Sequence, residues 1–311
     1  MRRFRLALLI ALGIALPALA APTVYPLTIE NGPHTLTFEK APERAVTFNG
    51  HATELMLALG LADRMVGTAY MNHPVLESLK AKYDTIPVLA EQSPSLEVVL
   101  GVEPDFAFGR LSAFRDTAVA PVPVLQELGI EAYAVTGTLI KSATMEDVYL
   151  DIANLGAIFD VNDEAEALIE TLREEIAEVT AVIEGVEEPV TVMVYDSGTD
   201  AIYTTGKALQ THLIELAGGI NVFADLDETW ANVSWEEAVA KAPQVIVIND
   251  YGRVSAEEKI SFLKSNPALA TIPAIAHERF VVMPLPSAFE GVRNPDAVRT
   301  LARGFYPELF R

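Results

Sequence analysis

The sequence predicts an α/β protein of two similar lobes joined by one long helix. Short apolar runs alternate with amphipathic helical stretches along the chain, a single long helical stretch from 162 to 185 divides the runs into two sets, and motifs of the first set return in the second. Alternation of this kind argues for parallel strands covered by helices. With 311 residues, 50% of them hydrophobic, the chain is long enough for two cores.

The chain opens with Arg2, Arg3 and Arg5, an apolar run from Leu6 to Leu16, Pro17 and the small-residue pattern Ala18-Leu19-Ala20. This reads as a secretory signal peptide over 1–20, too short for a mature membrane anchor and suited to the general export route more than to twin-arginine export. No later segment reaches the ~18 consecutive apolar residues of a membrane span. A soluble periplasmic protein is therefore expected. The absence of cysteine excludes disulfides, thiolate metal sites, a cysteine nucleophile and a lipidated N-terminal cysteine, so a lipoprotein is not expected. The formal net charge is −21, and cleavage after Ala20 would make it more negative. Nucleic acid is a poor partner for such a surface, because phosphate neutralisation needs basic groups. The acidity reads as a solubility feature.

The runs Ala45 to Phe48, Met65 to Ala69, Phe106 to Phe108 and Ala132 to Val135 read as strands of an N-terminal lobe over 21–161. In "NDEAEALIETLREEIAEVTAVIEG", apolar Ala165, Leu168, Leu172, Ile176, Val179 and Ile183 recur every three or four positions, and Gly185 stands at the end as a stop. Such a helix spans roughly 30 Å and acts as a stiff rod. Strand runs resume at Val190 to Tyr195, Val245 to Ile248 and Phe280 to Met283 in a C-terminal lobe over 186–311.

The lobes repeat each other. "SLEVVLGVEPDFAF" lies without a gap on "SWEEAVAKAPQVIV", pairing Ser95 with Ser234, Glu97 with Glu236 and Pro104 with Pro243. Each segment is a serine cap, a short helix, a proline break and a buried strand. "HATELMLALGL" from His51 and "QTHLIELAGGI" from Gln210 form a second such pair. That pair also accounts for Gly206-Lys207. The upstream Gly198 stands too far away for a phosphate-binding loop and Ala208 lacks the hydroxyl that reaches Mg2+. The dipeptide is expected in a turn that leads into the second lobe's opening helix and faces the other lobe.

The ordered set "APERAVTFNGHATELMLALGLADRMVGTAY", "PSLEVVLGVEPDFAFG", the linking helix, "LIELAGGINVFAD" and "VSWEEAVAKAPQVIVI" resembles the class III periplasmic substrate-binding proteins of ABC importers. The similarity covers nearly the whole chain after the leader. The resemblance implies two Rossmann-like lobes on one rigid helix, a ligand cleft between them, slight closure, and a cargo of ferric siderophore, haem or vitamin B12. Vitamin B12 carriers of this family engage arginines of the two membrane subunits through one glutamate per lobe at the Ser-x-Glu motif. Glu97 and Glu236 match those positions and are expected to dock the permease.

Ligands of open parallel sheets sit beyond the carboxyl ends of the strands. In the first lobe the turns there are "FNGHATE", "TAYMNHP" and "FGRLSAF", and in the second "YDSGTDAIYTTG", "LDETWANVS", "INDYGRV" and "LPSAFEGVRN". They carry Arg110, Arg253 and Arg293 together with Tyr70, Trp230, Tyr251 and Phe289. Arginine forks suit the oxygens of an anionic ferric complex, and aromatic rings suit its apolar rim. Taken singly, each arginine also fits a surface ion pair.

The five histidines show no HExxH or similar spacing. His51 and His73 fall in adjacent first-lobe turns and His51 shares a helical face with Glu54, but no third histidine joins them for zinc or manganese. His51 is expected as a cap or a hydrogen-bond donor in the cleft, with metal ligation the weaker reading. For haem, His51, Tyr70 or Tyr251 would serve as axial ligand. There is no G-x-S-x-G elbow, and Asp196 and Ser197 are adjacent on a strand and point apart. The expectation is a monomeric, non-enzymatic carrier without a cofactor of its own, holding iron as a chelate, most simply a ferric siderophore. Cobalamin or haem carriers, a sensor subunit and a hydrolase using a cleft histidine are the alternatives.

Overall fold

The computed structural model describes residues 20–71 and 73–310. The signal peptide expected over 1–20 lies outside the described residues except for Ala20. Among them no helix is long and apolar enough to cross a membrane.

An antiparallel hairpin of β1 (Leu27–Asn31) and β2 (His34–Phe38) precedes the first sheet, turning at Gly32 with φ 61°. Its side chains alternate in burial, and buried Leu36 and Phe38 join the core. The first lobe then alternates β3 (Ala45–Phe48), α1 (Gly50–Ala58), β4 (Met65–Ala69), α2 (Glu77–Tyr83), β5 (Val88–Ala90), α3 (Leu96–Leu100), β6 (Phe106–Gly109), α4 (Val122–Glu127) and β7 (Glu131–Ala134). All pairings are parallel in the order β5-β4-β3-β6-β7. Every residue of β3 and β6 is buried, as expected of strands covered on both faces.

The lobe ends in α5 (Met145–Phe159), opened by a Thr144–Asp147 capping box, and Asp160 in the left-handed region turns the chain into α6 (Asn162–Ile183). The buried stripe of α6 is Ala165, Leu172, Ile176, Val179 and Ile183. Along this stripe the helix packs on α5 and on the C-terminal helix of the other lobe. Its remaining faces carry acids such as Glu166, Glu170 and Glu174, which explains a long helix that is charged overall yet firmly seated.

The second lobe contains β8 (Val190–Tyr195), β9 (Ile202–Thr205), α7 (Leu209–Leu216), β10 (Gly219–Asn221), β11 (Trp230–Val233), α8 (Trp235–Lys241), β12 (Val245–Asp250), α9 (Ala256–Ser265), α10 (Pro273–Ala276), β13 (Phe280–Pro284) and α11 (Asn294–Phe305). Its main sheet is parallel in the order β10-β8-β12-β13. Two stretches expected as turns prove to be partly extended. Ile202–Thr205 and Trp230–Val233 pair antiparallel as β9 and β11, a small second sheet beside the main one. Exposed Tyr203 stacks on Trp230 at 5.7 Å, so an alternation that looked like loop composition is a strand pair with one solvent face.

Gly206-Lys207 leads into α7 and faces the other lobe. The Ser142 N–H donates to the Lys207 carbonyl at 2.8 Å, and the Lys207 ammonium pairs with Asp227 at 2.8 Å. A side chain at position 206 would collide with the Glu228 carbonyl, which is why glycine stands there.

Candidate functional site

The order of the first sheet reverses at β3, so the crevice for a ligand lies beyond the carboxyl ends of β3 and its neighbours β4 and β6. The residues found there are Asn49, Tyr70 and Arg110. Asn49 (φ 78°) and Tyr70 (φ 59°) occupy positive-φ conformations that side chains other than glycine rarely adopt. Asn49 is held by its N–H on the Ala69 carbonyl at 3.0 Å and accepts from the Arg110 N–H through Oδ1 at 3.4 Å. Beneath it the Thr53 hydroxyl meets those of Thr47 at 2.9 Å and Thr68 at 2.7 Å, tying the start of α1 to both strands.

The second lobe meets this edge with the ends of β12 and β13. A cavity of about 360 Å3 between the lobes is lined by Asn49, His51, Tyr70, Arg110 and Ser112 on one side and Tyr251, Gly252, Leu285, Pro286 and Phe289 on the other. Two hollows of about 190 Å3 flank it, one bounded by Arg110, Arg115, Gly137, Trp230 and Glu290, the other by Asn49, Tyr70, Ser93 and Pro94. His51, Tyr70, Arg110, Tyr251 and Phe289 thus share one cavity, and Trp230 borders its extension.

Two predicted arginines lie elsewhere. Arg253 is exposed in the loop between β12 and α9 and lines none of these cavities, although its neighbours Tyr251 and Gly252 line the central one. Arg293 is taken by Glu54, with Nε to Oε2 at 2.7 Å and Nη2 to Oε1 at 2.6 Å, and also donates to the Pro74 carbonyl at 2.8 Å. Arg110 is itself paired with Glu290 at 3.2 Å and lies over the Phe289 ring at 4.6 Å. Glu290, Asn49 and Ser112 were missed by sequence reasoning, although all three sit in turns singled out above.

His51 does not cap its helix. Asn49 holds that position without a side-chain cap bond, and the His51 ring is buried 5.3 Å from Phe289 with no hydrogen-bond partner at Nε2. Burial pushes its imidazole well below the ordinary value, helped by Arg110 and His73. His73 is also held below its ordinary value by burial, and its Nε2 has no partner. Among the described residues no group of three or more His, Cys, Asp or Glu is placed to hold a metal.

On the opposite wall the Tyr251 hydroxyl donates to buried Asp196 at 2.5 Å, and Asp196 also accepts from the Asn249 amide at 3.1 Å. The Lys259 ammonium lies 4.5 Å from the Tyr251 ring centre and donates to the Asp196 and Asn249 carbonyls. Burial, then the Asp196 bond, pushes the phenol up to about 12. Tyr251 is therefore a neutral, oriented ring that offers its face rather than a free phenolate.

The arrangement is a cleft with aromatic walls and hydrogen-bonding groups. Asp196 and Ser197 do not point apart as expected of neighbours on a strand: both lie past the end of β8, and the Ser197 hydroxyl donates to Asp196 Oδ2 at 3.1 Å. The family model for periplasmic binding proteins matches residues 46–286. The crystal structure of a periplasmic binding protein from Veillonella parvula superposes with a TM-score of 0.84 at 31% identity, over 90% of this chain and 97% of that one. A Yersinia pestis protein described as vitamin B12-binding is 28% identical over 213 residues, 68% of this chain and 70% of its own. An uncharacterised ABC transporter substrate-binding lipoprotein of Bacillus subtilis is 24% identical over 293 residues, 93% of this chain and 88% of its own.

Proposed function

The chain belongs to the periplasmic binding protein family, and from that premise we propose that it captures a metal chelate, in the first place a ferric siderophore, and delivers it to the permease of an ABC importer. One observation carries the reading: the carboxyl ends of parallel strands from both lobes converge on a cavity walled by Tyr70, Tyr251 and Phe289 and extended towards Trp230. Flat aromatic faces cover the apolar rim of a chelate, while Asn49, Ser112 and Arg110 supply polar groups for its oxygens. The volume, about 360 Å3, suits a compact chelate. A carrier free in the periplasm is supported by the absence of a cysteine to carry a lipid.

Cobalamin is the second reading, supported by the 28% identical relative described as a vitamin B12-binding protein. A corrin would extend from the central cavity into the flanking hollows. Native mass spectrometry of the protein purified from its own host separates the two, because the added mass identifies the cargo. A ferric siderophore mass is expected. A corrinoid mass would transfer the role to cobalamin, and failure to bind either class in a fluorescence titration would overturn the carrier reading.

A further inference from the structure

We infer that Glu290 is a specificity-determining residue that makes the cleft select chelates of zero net charge. This rests on the carrier reading above and narrows the class of its ligand.

Arg110 is the cation that reaches the central cavity, and the structure does not leave it free. Its Nη1 lies 3.2 Å from Glu290 Oε2, with the arginine side chain 25% and the glutamate 7% exposed. The seat of the carboxylate is built. Gly137 has no side chain where Glu290 lies, and a methyl group there would stand 2.5 Å from Oε1. The guanidinium is further fixed over Phe289, so neither partner can swing away without losing packing. Asp151, which accepts from Thr136, has its carboxyl pushed up to about 7 by burial, with the Glu290 charge adding a little in the same direction.

An anionic ligand oxygen approaching Arg110 therefore meets a guanidinium whose charge is balanced. It must either displace Glu290, leaving a carboxylate buried without its partner, or add a second negative charge beside it. A neutral ligand meets neither penalty, because an amide or hydroxamate oxygen can accept from a free guanidinium N–H while the ion pair stays intact. Arg293, which lines a neighbouring hollow with Tyr251 and Pro286, follows the same rule, since it is paired with Glu54. Arg115 forms no ion pair among the described residues, but it sits exposed on the outer rim of the flanking hollow, where solvent and salt screen it.

The test compares wild type, Glu290→Gln and Glu290→Ala, each titrated with a neutral ferric trihydroxamate, with cyanocobalamin, and with two anionic chelates, a ferric tricatecholate and ferric citrate. Wild type is expected to bind one of the neutral ligands at least about tenfold more tightly than either anion. Both variants should strengthen binding of an anionic chelate by about tenfold, as the guanidinium gains a free charge, and leave the neutral ligand within about threefold. The retained neutral binding shows that the variants fold. Unchanged anion affinity with neutral binding intact would overturn the role of Glu290 alone. So would a parallel loss of both ligand classes in both variants, which would mark a structural residue, or a wild type that prefers an anion. A wild type that binds none of the four would overturn the carrier reading, and this inference with it.

Discussion

Glu54 of the first lobe and Arg293 of the second form a two-pronged ion pair, with the glutamate side chain 0% and the arginine 15% exposed. Glu54 Oε1 also accepts from the Leu76 N–H at 2.8 Å, so the carboxylate has both neutralising charge and hydrogen bonds. Removing one member of such a buried pair leaves the other without compensation at a cost of about 3–5 kcal/mol. Arg293→Ala should therefore lower unfolding stability by that amount in urea. Arg293→Met combined with Glu54→Leu should recover part of it, because no buried charge remains. A single-variant loss below about 1 kcal/mol would place the pair among ordinary surface contacts.

His51 gives stability a pH dependence whose sign follows from its depressed pKa. The unfolded chain takes up a proton near the ordinary histidine value of 6.5, whereas the buried ring refuses it. The stabilisation is present above pH 6.5 and is lost as pH falls below it, by about 1 kcal/mol per unit. His73 acts in the same direction. His51→Gln should flatten the fall in melting temperature between pH 7 and pH 5 relative to wild type. Parallel curves for the two proteins would mean that the ring is not held neutral.

The strands and the linking helix were legible because their burial leaves a direct mark. Phe48, Phe108 and Val247 belong to strands buried on both faces, which read as unbroken apolar runs, and α6 shows its one buried stripe at helical spacing. The Trp230–Val233 strand left no such mark, since it has one partner strand and one wet face. In the cleft, membership of a strand-to-helix turn located His51, Tyr70, Arg110, Tyr251 and Phe289. Turn membership does not give direction, which is why Arg253 was grouped with them although it faces solvent. Nor does it give partners. That Arg110 and Arg293 are each held by an acid of the other lobe depends on residues about two hundred positions apart in sequence, and only the fold brings them together.

Closure should be slight. The lobes are joined by α6, which packs on α5 and on α11, and they are fastened across the cleft by Glu54–Arg293 and Arg110–Glu290. A hinge needs a few residues free to change φ and ψ, and a helix buried along its length on both lobes offers none. Small-angle scattering with and without chelate should give nearly the same radius of gyration. A large compaction on binding would contradict this view of the linking helix.

Docking to the permease makes the last prediction. Ser95 and Ser234 each cap a helix, with Glu97 in the first turn of α3 and Glu236 in the first turn of α8. A capping role alone would give each acid about 0.3–1 kcal/mol of interaction with the helix dipole. In the second lobe, however, the reciprocal cap bond comes from Glu237, whose carboxylate accepts from the Ser234 N–H at 2.9 Å. Glu236 is exposed and outside that capping box, as Glu97 is exposed beside its own cap, and among the described residues neither forms an ion pair. Two exposed acids at equivalent places in the repeated lobes suit a pair of basic sites on a two-subunit permease, where reversing a charge sets like charges face to face at a cost of several kcal/mol. Glu97→Arg together with Glu236→Arg should leave chelate affinity near wild type and abolish uptake through the reconstituted transporter, with each single variant intermediate. Normal uptake by the double variant would return both residues to helix stability. A matching loss of chelate binding would instead mean that the substitutions disturb the cleft, and the docking role would fall with either result.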